Sequence, residues 1–321
     1  MNSVNRRQFS RSLALGALGA ALGPSLRSTA LGATAARKMT LALTPGSIGV
    51  QVRNQKEVLE LASRHGFESV EPLGEELSRM TAEGLQELMA ALKGNKLSWA
   101  AAGLTVDFRN EDVQFEAGMK QLPSIAMGLQ RAGVTRVGTW ISPSHPSLTY
   151  RQNFQRHANR LRAAARVLKD HGLRLGLEYV GTQTLLTRGR YPFVHTMAET
   201  RELIAEIGTG NVGLVLDTWH WWTAGDTEAD ILALKNEDIV SVDLNDAPSG
   251  IPKAQQQDNQ RELPAATGVI DAGVFLNALN QLGYDGPVRP EPFNKALNEL
   301  GNDPACAATI AAMKKAFALL R

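Results

Sequence analysis

Residues 212–220 read Val212-Gly213-Leu214-Val215-Leu216-Asp217-Thr218-Trp219-His220, an apolar run of strand length that ends in an acid. A short apolar, partly β-branched run closed by a polar group marks a strand buried on both faces, as in a parallel sheet covered by helices. The same design recurs on both sides of it. Upstream stands Leu175-Gly176-Leu177-Glu178-Tyr179, and downstream stand Val242-Asp243-Leu244-Asn245-Asp246 and Arg289-Pro290-Glu291-Pro292-Phe293.

Working outward, candidate strands are Thr40–Leu43, Ser69–Leu73, Leu97–Gly103, Arg136–Ile141, Arg174–Val180, Val212–Asp217, Ile239–Leu244 and Val288–Phe293. Stretches of helical period separate them. In Tyr150–His171, for example, Phe154, Leu161, Ala165 and Leu168 form an apolar stripe while Arg and Lys fill the other face. Glycines close several such stretches, as in Arg64-His65-Gly66 and His171-Gly172. Eight strands alternating with helices predict a single (β/α)8 barrel over residues 39–321. An open doubly wound sheet would alternate in the same way, but it carries a glycine-rich phosphate turn after its first strand. Gly16 and Gly19 precede any strand, and no P-loop occurs.

The first 35 residues stand apart. Arg6-Arg7 within Asn5–Arg11, the apolar run Leu13–Leu22 and the Ala33-Thr34-Ala35 site read as a twin-arginine export signal, which predicts a periplasmic or extracellular destination. The run is shorter than the roughly 20 residues that span a bilayer, so no membrane anchor is expected. This segment holds four Arg and no acid, so its removal takes the net charge from +2 to −2. Neither balance suits a nucleic-acid partner. The single cysteine, Cys306, sits in an Ala-rich helical stretch and reads as core.

Active sites of such barrels lie at the C-terminal ends of the strands. Four neighbouring strands deliver Glu178, Asp217, Asp243 and Glu291 there. Converging buried carboxylates repel one another unless a cation joins them, which points to a divalent metal; the alternative is pairing with Arg174, Arg261 or Arg289. Oxygen donors favour a hard ion, with Mn²⁺ the first expectation and Mg²⁺, Ca²⁺ or Zn²⁺ the alternatives. His220, Glu71, His145 and Asn245 are expected to touch substrate, as are Arg261 and Glu262 of the long loop Asn245–Thr267. Trp219 and Trp140 would offer aromatic faces to a sugar ring. His65, His157 and His171 fall on helices or at their ends and read as surface or capping residues.

These residues resemble the xylose isomerase-like barrels, in particular the sugar phosphate isomerase/epimerase group, over roughly Met39 to the C-terminus. The resemblance implies Glu178 at strand five, Asp217 with His220 at strand six and Glu291 at strand eight as site residues. At strand seven it implies a histidine, where this sequence has Asp243. The implied partner is a small sugar or polyol, unphosphorylated because no Lys/Arg cluster marks the rim; a homo-oligomer stays open. The expected chemistry is isomerisation or epimerisation of a keto-sugar, Glu178 and Glu291 moving a proton through an enediolate. Two alternatives remain: elimination from an inosose or 3-keto-glycoside, and a non-catalytic sugar-binding barrel.

Overall fold

The computed structural model describes residues 37–321; the export signal read in residues 1–35 lies outside the described residues. The parallel barrel strands are β1 (Thr40–Leu43), β2 (Ser69–Val70), β3, β4 (Arg136–Trp140), β5 (Arg174–Glu178), β6 (Val212–Asp217), β7 (Ile239–Leu244) and β8 (Pro287–Pro290). Strand β3 comes in two pieces, Ser98–Trp99 against β2 and Ala102–Gly103 against β4, so the sheet curls round and meets itself across Ala100 and Ala101. The expected single strand over Leu97–Gly103 is therefore broken, and those expected at Ser69–Leu73 and Val288–Phe293 end earlier, before the loops that carry the site.

Leu175, Leu177, Leu214, Leu216, Val242, Leu244 and Val288 are buried between sheet and helices. The outer layer includes Gln55–His65, Ala82–Gly94, Asp112–Arg131, Tyr150–Asp170, Met197–Ile207, Ala272–Gln281 and Asn302–Phe317. Gly66 ends the first of these in the left-handed conformation (φ 79°) and donates its N–H to the Ala62 carbonyl at 2.9 Å, a stop that glycine reaches without strain. Cys306 is buried in the last helix. No helix of the described residues is long and apolar enough to cross a membrane.

Inside the barrel the alternate residues divide by height. Near the lower ends of β4 and β5, Arg136 and Arg174 donate to backbone carbonyls of residues 237–240. Above them the pairing of β6 with β7 slips between Ile239 and Ser241. Val240 thereby stands close to Gly176 and Gly213, where a Cβ would lie 2.9 Å from Val240 Cβ and 3.2 Å from its Cγ2. The upper ends of β5, β6 and β7 carry Glu178, Asp217 and Asp243, with Glu291 one residue past β8; Asp217 pairs in register with Asp243, and Asp243 with Arg289.

Candidate active site

Local structure aims the four acids at one point. Asp217 ends β6 and also caps the short helix Thr218–Ala224, its Oδ1 accepting the Trp219 N–H at 2.6 Å. That cap fixes the turn on which His220 follows. Asn245, just past β7, donates its Nδ2 to Asp217 Oδ1 at 2.9 Å and accepts from Thr218 Oγ1 at 3.0 Å. One oxygen each of Glu178, Asp217, Asp243 and Glu291 lies within 4.8 Å of the others, and Glu178, Asp217 and His220 form an overlapping group.

Two guanidiniums enter this cluster. Arg261 arrives from the long loop: its Nη1 donates to Asp217 Oδ2 at 2.7 Å and Glu291 Oε2 at 3.1 Å, and its Nη2 to Asp258 Oδ1 at 2.7 Å. Arg289, on β8, grips both oxygens of Asp243 and donates to Glu291 Oε1 at 3.1 Å. Two of the three arginines named as alternatives to a metal, Arg261 and Arg289, thus do pair with the acids, whereas Arg174 sits at the opposite end of the barrel. With every acid ionised, five carboxylates, Asp258 included, face two guanidiniums, an excess of negative charge that a divalent cation would reduce.

The site shows where that charge resides. Burial pushes the Asp217 carboxyl up, but Arg261, His220 and its hydrogen bonds outweigh burial and hold it at about 2. Burial raises Glu178 well above the usual carboxylate range, and Glu291, Asp243 and Asp217 add to this. Glu291 is pushed up to about 8, again chiefly by burial, against the pull of Arg289. Glu178 Oε1 is buried and has no hydrogen-bond partner among the described residues. An orphaned carboxylate oxygen facing three other acids fits a cation: oxygen ligands across a Mg²⁺ or Ca²⁺ ion stand about 4–5 Å apart, close to the spread seen here.

His220 is buried and its imidazole is lowered to about 4 by desolvation, so it is neutral at pH 7. Its Nε2 faces Arg261 Nη2 at 3.1 Å and lies 3.7 Å from Glu178 Oε1. Its Nδ1 faces the Gly181 amide at 3.3 Å. A neutral imidazole accepts at one nitrogen only, so just one of the Arg261 and Gly181 contacts is a hydrogen bond.

Two cavities open from the acids and share Glu178, Glu291 and Trp140 in their linings. The outer, about 600 Å³, is lined by Glu178, Glu291, His220, Arg261 and Asp258 together with Trp140, Val180, Leu185 and Phe293. The inner, about 230 Å³, is lined by Glu178, Glu291, Arg289, Ser241, Thr139, Arg109 and Trp140. Trp140 is 45 % exposed and borders both.

Other expected contacts fall elsewhere. Trp219 is wholly buried, its indole N–H donated to Thr182 Oγ1 at 2.8 Å, so it supports Arg261 from below and offers no face to a ligand. Asn245 holds Asp217 and lines neither cavity. Glu262 pairs with Asp246 along the backbone and accepts from Asn294. His145 caps its own loop, Nδ1 accepting from Ser147 N at 3.1 Å and Leu148 N at 2.9 Å, while its neighbours Ser144 and Pro146 line the outer cavity. Glu71 is half-buried beyond β2, raised by burial against the pull of Arg289, and lines neither cavity. His157, expected at the surface, is core: it packs edge-on to Phe108, and burial lowers it to about 3. Asp258 and Arg109 were missed because a loop gives no periodic pattern to read.

A family described as xylose isomerase-like TIM barrel matches residues 59–316. An inosose isomerase of Halalkalibacterium halodurans is 24% identical over 257 residues, 77% of this chain and 86% of that one. Among solved structures, a xylose isomerase domain protein from Alicyclobacillus acidocaldarius superposes with a TM-score of 0.76 at 29% identity, covering 88% of this chain and 99% of the other. The IolI protein with a bound zinc atom superposes with a TM-score of 0.70 at 21% identity, covering 87% and 98%.

Proposed function

The chain belongs to the xylose isomerase-like TIM barrel family, and from that premise we propose that it is a divalent-metal-dependent isomerase or epimerase of an unphosphorylated keto-sugar or related polyol. One observation carries the reading: two buried glutamates with raised pKa, Glu178 and Glu291, border the same cavities beside an unsatisfied carboxylate oxygen. Glu178, Asp217 and Glu291 would hold the ion, with Asp243 or His220 completing the set. A cation bound there supplies polarisation of a carbonyl and acidity to the adjacent C–H. The carboxylate donors favour Mn²⁺; His220 as a donor would favour zinc, the ion bound in the IolI structure.

The chain's own groups perform the proton transfer. Glu178 and Glu291 are both raised by burial, and Glu291 adds to the rise at Glu178, so loss of one proton from the two would leave a base beside an acid. Arg261 keeps Asp217 ionised, Arg289 orients Asp243, whose carboxyl burial raises, and Asn245 locks Asp217. Trp140 covers the substrate from the mouth. Return of the proton to the opposite face gives epimerisation, and return to the neighbouring carbon gives isomerisation. The size of the outer cavity favours one second reading, elimination of a bulky leaving group from a keto-glycoside.

The test is solvent deuterium incorporation into ketoses, inososes and keto-glycosides in the presence of Mn²⁺ or Zn²⁺, followed by NMR. Wild-type protein exchanges the α-proton, chelation stops it, and Glu178→Gln lowers the rate by about 10²–10⁴-fold. Exchange undiminished by both treatments rules the mechanism out, and ligand binding without exchange leaves a sugar-binding barrel. A released aglycone identifies elimination.

A further inference from the structure

The two arginines inside the acid cluster are neutralised by it. A third, Arg109, lines the inner cavity beside Glu178 and Glu291 and has no such partner. Its Nη1 donates to Thr139 Oγ1 at 3.1 Å and to the Trp140 carbonyl at 2.8 Å, while Nε and Nη2 find no acceptor among the described residues. Of the acids nearby in sequence, Asp107 is occupied by its own loop, its oxygens accepting from Arg109 N at 3.1 Å, Asn110 N at 3.3 Å and Asn110 Nδ2 at 2.7 Å; Asp112 pairs with Arg160, and Glu111 makes no hydrogen bond to Arg109. The guanidinium lies against two rings, its centre 4.6 Å from Phe108 and 4.3 Å from Trp140, which fixes its plane. Arg109 is half-buried, so part of its hydration is already lost.

A guanidinium fixed in plane, short of an acceptor and bordering a small cavity is suited to a planar carboxylate, which it can bind through two parallel N–H bonds. We propose that Arg109 is the carboxylate-recognising end of the substrate site, and that the polyol turned over is a sugar acid or cyclic keto-acid. A phosphate fits less well, because its second charge would stand beside Glu178 and Glu291. The inference rests on the proposed function for where the reaction occurs, but not for the anion site itself. It also explains why no Lys/Arg cluster is visible in the sequence: one arginine from a loop suffices for a monoanion.

The experiment is calorimetric titration of the metal-loaded protein with D-glucuronate, D-galacturonate, the neutral sugars D-glucose and D-galactose, and D-glucose 6-phosphate. The acids are expected to bind about 10- to 100-fold more tightly than their neutral counterparts, the range for a hydrogen bond to a charged group. Arg109→Met should bring acid and neutral sugar to the same affinity. Arg109→Lys, which keeps the charge and loses the fork, should restore only part of the difference. Equal affinities in the wild type, a preference that survives Arg109→Met, no binding of either acid at millimolar concentration, or tighter binding of the phosphate would each overturn the proposal. Preference for acids without metal-dependent deuterium exchange in any sugar would reject the proposed reaction and leave the anion site standing; exchange without that preference would do the reverse.

Discussion

Arg261 shows how a single side chain can order a site from outside the sheet. Fully enclosed, it joins Asp217, Asp258 and Glu291 while its guanidinium rests on the Phe293 ring at 4.6 Å. Removing it strands buried carboxylates without a counter-charge, and breaking a buried pair in this way costs about 3–5 kcal/mol. Arg261→Met is therefore expected to lower stability by that amount in urea unfolding with chelator present, and by less with a divalent metal, which would occupy the same carboxylates. A loss under about 1 kcal/mol in chelator would mean that the acids simply take up protons and that Arg261 is no keystone. At this scale the acids were legible because each interrupts or closes an apolar strand, a place where an ionised group needs a reason. The sequence also named Arg261 and Arg289 as possible partners, but not that both would pair while a buried Glu178 oxygen stayed open. Asp258 and Arg109 gave no signal, since a charged residue in a loop is ordinary until the loop is folded over a cavity.

The barrel strands were readable as elements because parallel strands covered by helices are apolar on both faces, and β1, β6 and β7 begin and end where the residues suggest. The break in β3 was not readable: Ala100 and Ala101 look like strand interior, and only closure of the sheet decides that they bridge two short pieces. The antiparallel pairing of Ser144–His145 with Tyr191–Pro192 was equally hidden, since two-residue strands have no period. The slip in β7 has a sequence correlate in retrospect, the glycines opposite it. A Cβ at Gly176 would stand 2.7 Å from Val215 Cγ2 and 2.9 Å from Val240 Cβ, both on β-branched residues with little rotamer freedom. Gly176→Ala is thus expected to destabilise by about 1–3 kcal/mol through overpacking, with an unchanged denaturant slope. Val215→Ala, which removes the nearer contact, should recover part of that loss. A stable Gly176→Ala protein would show that the floor of the barrel can yield.

For the whole molecule, the buried acids and histidines make opposing contributions to stability as pH changes, and the balance is predictable. Glu291 is raised to about 8 and Glu178 well above its ordinary range, so in the metal-free fold each keeps a proton that the unfolded chain releases near pH 4.5. Their contribution is fully present below that pH and is lost as pH rises toward 8 and beyond, at about 1.4 kcal/mol per pH unit for each proton held. His220 and His157, lowered to about 4 and about 3, act in the opposite sense, because the unfolded chain holds their protons up to about pH 6.5. Between pH 4.5 and 6.5 the two pairs oppose each other, while Asp243, Glu71 and Asp226, also raised by burial, add to the acids' side; above 6.5 only the acids remain. Metal-free protein should accordingly lose stability more steeply from about pH 6.5 to 8 than below it. A bound divalent cation favours the ionised carboxylates, so its stabilising shift should grow over the same interval. Unfolding midpoints measured in chelator and in excess Mn²⁺ or Zn²⁺ at pH 6, 7, 8 and 9 separate the outcomes. A midpoint in chelator that rises between pH 7 and 8 would show that Glu178 and Glu291 are ionised without metal. A metal-induced shift no larger at pH 8 than at pH 6 would mean that the ion does not bind through them, and the two glutamates would then be free to act as acid and base without also serving as ligands.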